Sequence, residues 1–138
     1  MARCTAGVLR GAVIEEGAAA GSRFGRLIVI NIGEECTLFG FSGLQLVDAN
    51  GTVLPTQAVW DLEPGPSLVT LPNRGIAVAN LQWGVVTGVG DAQDGPCQPD
   101  PSALKLIPPD EAQQFEVPWS FGPVCQQGRI QISAYYAP

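Results

Sequence analysis

The chain has 138 residues, enough for one domain with a sizeable core, and it carries seven Lys plus Arg against thirteen Asp plus Glu. Its net charge of −6 and the scatter of its basic residues remove the electrostatic basis for binding nucleic acid or an anionic membrane surface. It contains no histidine, which takes away the commonest general base and the commonest metal ligand together. The four cysteines, Cys4, Cys36, Cys97 and Cys125, lie tens of residues apart, unlike the close pairs of a zinc site.

In chain order, the pattern is one of short strands separated by Gly/Pro turns. Cys4 to Ile14 reads as a first strand bent at Gly11, and the Gly/Ala-rich stretch from Glu15 to Ser22 reads as a turn or loop. Arg23 to Ile32 is the clearest strand. Leu27, Val29 and Asn31 face opposite to Ile28, Ile30 and Ile32, and apolar residues on both faces predict a central position in a sheet. Asn31 followed by Gly33 marks its end, where the Asn side chain can satisfy turn amides. No apolar run approaches the length of a membrane span.

Cys36 to Phe41 and Leu44 to Val47 are short strands, and Asp48-Ala49-Asn50-Gly51 is a hairpin turn returning through Thr52 to Leu54. Trp60 falls in a loop-like stretch before the Glu63-Pro64-Gly65-Pro66 turn. Leu68 to Leu71 and Ile76 to Val86 are strands; in the latter Ala77, Ala79, Leu81 and Trp83 share one face. Gly88 to Pro101 is a loop carrying Cys97. Leu104 to Ile107, Phe115 to Val117 and Gly128 to Tyr136 complete the strands, with one helical turn at Asp110 to Gln114. Eight or nine such strands in a single domain over residues 1–138 predict an all-β, antiparallel β-sandwich.

The chemistry on offer is sparse. Asp91, Asp94 and Asp100 share one loop, and Asp48 and Asn50 another, but neither set has the alternating spacing of a calcium loop, and they read as solvated carboxylates and turn formers. Gly40-Phe41-Ser42-Gly43 is not a nucleophile elbow, and Ser42 lacks a histidine base. Gly88-Val89-Gly90 lacks the third glycine of a dinucleotide loop. Glu15, Glu16, Glu34, Glu35, Glu63, Glu111 and Glu116 could supply a glycosidase pair, but nothing selects two of them. Trp119, Phe121, Tyr135 and Tyr136 gather near the C-terminus and form the candidate binding surface, an aromatic platform suited to a sugar ring or a protein partner.

Several residues carry a family resemblance. They are Leu27-Ile28-Val29-Ile30-Asn31-Ile32-Gly33 with the following Cys36-Thr37-Leu38-Phe39-Gly40-Phe41, then Leu71, Gly75, Ala77, Leu81 and Trp83, then Cys97, Cys125 and the strand at Gly128. The chain resembles the actinobacterial domain-of-unknown-function 4232 family of secreted proteins and lipoproteins. The resemblance implies an immunoglobulin-like β-sandwich, an extracytoplasmic setting and four cysteines in two bridges; it transfers no catalytic residue. The family often has a Pro-Gly turn before the Ala-x-x-x-Leu-x-Trp strand. Here Asn73-Arg74 separate Pro72 from Gly75, which predicts a longer turn.

These readings converge on an exported, non-enzymatic domain of the cell envelope, monomeric, with no cofactor and no metal, binding a protein or glycan partner. A carboxylate-based glycan hydrolase and a purely structural spacer are the alternatives. Export implies a leader upstream of residue 1, because no apolar stretch precedes Cys4 and Cys4 is not readable as a lipobox cysteine. Four cysteines allow three connectivities. The strand layout favours Cys4–Cys36 with Cys97–Cys125, two loops of about 30 residues worth roughly 3 to 4 kcal/mol each by chain entropy. Non-reducing peptide mapping is expected to recover these two bridges; a Cys36–Cys97 peptide or free thiols in the native protein would refute the pairing.

Overall fold

The computed structural model describes residues 2–138. Ten strands follow a single 3₁₀ turn at Ala6–Val8: β1 Leu9–Ala19, β2 Ser22–Asn31, β3 Cys36–Phe39, β4 Gly43–Val47, β5 Gln57–Asp61, β6 Leu68–Leu71, β7 Ile76–Gly84, β8 Ala103–Ile107, β9 Phe115–Pro118 and β10 Arg129–Ser133. One sheet has the order β1-β2-β7-β10-β5, while β4-β8-β9 and the pair β3-β6 form the second layer. Inward residues of both layers meet in a single cluster that runs from Cys4 to Tyr135.

The alternation predicted for β2 is realised, and that of β7 holds except at Val78, which is buried as well. Leu27, Val29 and Asn31 are buried in β2, and Ala77, Ala79, Leu81 and Trp83 in β7. The small alanines of β7 stand opposite the bulkier residues of β2, Ala77 against Val29 and Ala79 against Leu27. β2 is central, as its two apolar faces predict, but no layer covers its second face. Ile14, Ile32 and Ile76 are exposed there and Ile28 and Ile30 are half-buried.

Several boundaries differ from the sequence reading. The Glu15 to Ser22 loop is strand: β1 pairs with β2 as far as Ala19–Ser22, around a two-residue turn at Ala20-Gly21. The register slips between Glu15 and Gly17, so the bend is a bulge there and not at Gly11. Ladder pairing to a strong neighbour outweighs the weak β preference of the Gly/Ala run. Thr52 to Leu54 adds only a bridge, Val47 to Val53. Trp60 lies in β5, which pairs parallel with β10, so the sandwich is not wholly antiparallel. No helical turn forms at Asp110 to Gln114; a tight turn joins Glu111 N–H to Pro108 at 3.1 Å. The turn after Pro72 stays at four residues, closed by Gly75 N–H on Pro72 O at 2.8 Å with Arg74 left-handed.

Both disulfides join the predicted partners. Cys4–Cys36 staples the N-terminal segment to β3, beside the parallel bridge of Arg3 with Thr37. Cys97–Cys125 joins the long β7–β8 loop to the turn that starts β10.

At the end of β2 the Asn31 side chain is fully buried and fully used. Its amide donates to Glu34 O at 2.8 Å and Leu71 O at 3.0 Å, and its Oδ1 accepts from Gly33 N–H at 2.9 Å. Gly33 is required by space: a Cβ there would come within 2.6 Å of Val8 Cγ1. Asn31→Ala leaves a buried carbonyl and a turn N–H without partners. It is expected to lower stability by about 2–4 kcal/mol in urea unfolding, with an unchanged m-value.

Candidate functional site

The register of the strands sorts the candidate residues into two ends. Trp83 pairs with Ile130 at the start of β10, and β7 leads from there into the loop carrying Cys97. Tyr136 bridges Val78 towards the start of β7, at the opposite end. The four C-terminal aromatics are therefore divided and do not form one platform.

Trp119 and Phe121 belong to the Cys97 end. Trp119 is buried, stands edge-on to Trp83 with ring centroids 4.8 Å apart, and donates its indole N–H to Gly122 O at 2.9 Å. Phe121 is half-buried and caps the same pair. Tyr135 is wholly buried at the other end, and its hydroxyl shares a 2.6 Å hydrogen bond with buried Ser42. Burial pushes the Tyr135 phenol up to about 12, with the Ser42 hydrogen bond acting in the opposite sense. Tyr136 donates to Asn80 Oδ1 at 2.5 Å. Trp119 continues the inward set of Phe115 and Val117, whereas Tyr135 reaches the core because the register of the chain against β7 slips by one residue between Ile132–Leu81 and Tyr136–Val78.

The loop end holds an open cavity of about 860 Å³, between residues 90–100 and Gly122-Pro123. Its walls are Ala92, Pro96, Pro99, Pro123 and Cys97, which is bridged to Cys125 behind it, with Gln98 and Asp100 as polar members. A wall of prolines and a disulfide has little rotamer freedom to lose on binding.

Asp91 holds this wall in place. It is not the solvated loop carboxylate expected from sequence: only 7% of its surface is exposed. Its Oδ2 accepts from Gly88 N–H at 2.8 Å and Gln126 N–H at 2.6 Å, and its Oδ1 accepts from Gln127 N–H at 2.8 Å and Gln98 Nε2 at 2.7 Å. Gln126 and Gln127 are both left-handed, with φ of 58°, which turns their successive N–H groups towards one anion. That backbone is costly for residues with a Cβ, and the shared carboxylate offsets the cost. Gly128, which follows them at φ 77°, packs its Cα directly against the Pro55 carbonyl, where no Cβ fits.

Burial by itself would raise the Asp91 carboxyl. The Gln98 amide and the Gly88, Gln127 and Gln126 N–H groups overcome that and hold it well below the usual carboxylate range. Asp91 lies close to the sulfurs of Cys97 and Cys125, but both are oxidised and each carboxylate oxygen already receives two donors. The cluster offers a cation no thiolate and no free lone pair in the plane, and its chemistry is that of a structural anchor. Asp94 and Asp100 are exposed.

The seven glutamates sit on β1, in the β2–β3 and β5–β6 turns, after β8 and in β9. None lines the loop-end cavity. Glu16 shares a shallow depression of about 250 Å³ with Asp61 on the outer sheet face. Glu16 is paired there with Arg26 at 2.7 Å, and Asp61 accepts from Glu63 N–H at 3.1 Å.

A second feature is not legible in the sequence, where Trp60 falls in a loop-like stretch. At the Tyr135 end the rings of Phe41 and Trp60 stack face to face, with centroids 4.3 Å apart and planes within 2°. The alternation of β5 was the available signal, but Gln57-Ala58-Val59-Trp60-Asp61 is too short to declare it.

The family described as Domain of unknown function (DUF4232) matches residues 4–136. No curated protein and no solved structure matches the chain.

The Asp91 anchor makes a pH prediction. Its carboxyl is depressed in the folded state, so the stability it adds is present above its unfolded value near 4 and is lost as pH falls through and below that value. Asp91→Asn puts an NH₂ group among N–H donors and is expected to cost about 3 kcal/mol at neutral pH. Urea midpoints from pH 7 down to pH 2 should fall less steeply for the variant than for the parent protein.

Proposed function

The chain belongs to the DUF4232 family, and on that premise we propose that it is an exported, non-enzymatic binding domain of the cell envelope. Its ligand is held at the loop end of the sandwich. The observation that carries this is the cavity beside Cys97–Cys125, whose walls are fixed in advance by a disulfide, three prolines and the Asp91 anchor. A site of that kind spends little entropy on ordering and presents mostly apolar surface with a few polar groups, as small-ligand sites do.

Export is supported by the two bridges, which persist in oxidising compartments. A binding role, as opposed to catalysis, is supported by the way the perturbed carboxylate is spent. Asp91 is saturated by four donors and held charged well below the usual carboxylate range, which suits neither an acid nor a base near neutral pH. The hydrolase alternative would need two carboxylates converging on a bound sugar, and the glutamates stand on separate elements. The spacer alternative predicts a featureless loop end.

Ala92 lies exposed on the cavity wall, so Ala92→Trp should fill the cavity without disturbing the core. Affinity capture from an envelope extract is expected to retain at least one species on the parent protein that the variant loses by about tenfold or more. Identical retention by both proteins, with unchanged unfolding midpoints, would remove the loop-end cavity from consideration.

A further inference from the structure

The end of the sandwich opposite Cys97 carries a different kind of surface. Trp60 is 61% exposed, whereas Trp83 and Trp119 are 2% and 3% exposed. Phe41 backs its ring in a parallel stack, which fixes the plane that faces solvent. Beside the rings runs an open groove of about 420 Å³, bounded by Phe39, Pro66, Pro109 and Asp110. The backbone beneath is fixed as well: Tyr135 N–H bonds Gly40 O at 3.0 Å, and Asp110 sits in the left-handed region at φ 59°.

The polar inventory of the groove narrows the occupant. It has one carboxylate, Asp110, no basic side chain, and no amide or hydroxyl side chain. A sugar's hydroxyls would find only the Asp110 carboxylate among the lining side chains to fix their orientation there. A polyproline II segment presents flat pyrrolidine rings to aromatic faces and has carbonyls that its own backbone leaves free. Trp60 is largely exposed, and its indole carries an N–H that can donate to such a carbonyl. The geometry points to a second binding site in this groove, for a proline-rich peptide in the polyproline II conformation that carries a basic residue next to Asp110. Prolines of the peptide would pack over Trp60 and between Pro66 and Pro109, and its Arg or Lys would pair with the Asp110 carboxylate.

This site is independent of the loop-end cavity, and the experiment separates the two. Isothermal titration calorimetry of the whole chain would use the peptide (Pro-Pro-Arg)₃, its counterpart (Pro-Pro-Glu)₃ and a neutral β-1,4-linked hexasaccharide. The expected result is saturable binding of the arginine peptide, with the glutamate peptide weaker by about tenfold or more. Trp60→Ala should abolish that binding. Asp110→Asn, which keeps a residue tolerant of positive φ, should weaken it about three- to tenfold. Ala92→Trp should leave it unchanged. Amide chemical-shift mapping on the unmodified protein should place the largest changes at Phe39 to Phe41, Trp60 and Asp110. No heat and no shift changes at millimolar arginine peptide would overturn the inference. So would unchanged affinity in Trp60→Ala, equal binding of the two peptides, or binding of the hexasaccharide alone.

Discussion

The fold depends on how the chain leaves β2 and crosses to the other layer, and one buried amide governs that crossing. Asn31 ends β2, an interior strand of the larger sheet, and its side chain bonds Leu71 O at the end of β6, in the facing layer. Its backbone carbonyl accepts from Arg74 N–H at 2.6 Å and its backbone N–H reaches Gly75 O at 3.0 Å. Two crossings, β2 to β3 and β6 to β7, are thus tied at one residue. A buried polar group with every valence satisfied can specify a single arrangement where an apolar residue would accept several. Immediately beyond it, Cys36 bridges Cys4, so the same corner is held covalently.

Asp91 plays the corresponding part at the other end, with charge in place of a neutral amide. Two consecutive left-handed glutamines would be unfavourable alone, and a loop as rich in glycine as residues 88–95 would be mobile alone. The carboxylate fixes both through four donors, and Cys97–Cys125 closes the same region covalently. Each disulfide therefore lies beside a buried polar anchor. Both ends of the sandwich, where binding surfaces on such a fold are displayed, are thus held by a covalent and a polar tie together.

The aromatic residues divide along the same axis. Trp83, Trp119 and Phe121 form a mutually tilted cluster beneath the loop end and supply core area. Phe41 and Trp60 form a parallel pair at the edge of the sandwich, with Trp60 largely exposed. The difference follows from position within the sheet. Trp83 is on β7, flanked on both sides by strands, whereas Trp60 is on β5, an edge strand with β10 as its sheet neighbour. An inward-directed ring on an edge strand has less of the facing layer above it and stays half in water.

Much of the architecture was legible in the residues themselves. The alternation Leu27, Val29, Asn31 and Ala77, Ala79, Leu81, Trp83 specified two strands and their buried faces, because a side-chain period of two permits only one inward set. Asn31 and Gly33 declared their turn, and the cysteine spacing with the strand layout favoured the pairing that forms. The limits of β1 were not legible, because the pairing of Ala18 and Ala19 is conferred by Arg23 and Ser22 across the ladder. Nor were the roles of Asp91 and Trp60. Asp91 looks like any loop aspartate until residues 126 and 127 meet it from 35 positions away. Trp60 becomes a ring face only once Phe41 lies behind it. Local periodicity and turn chemistry act over a few residues and are written in the sequence; burial of a charge and exposure of a ring depend on partners distant in the chain, which only the tertiary structure supplies.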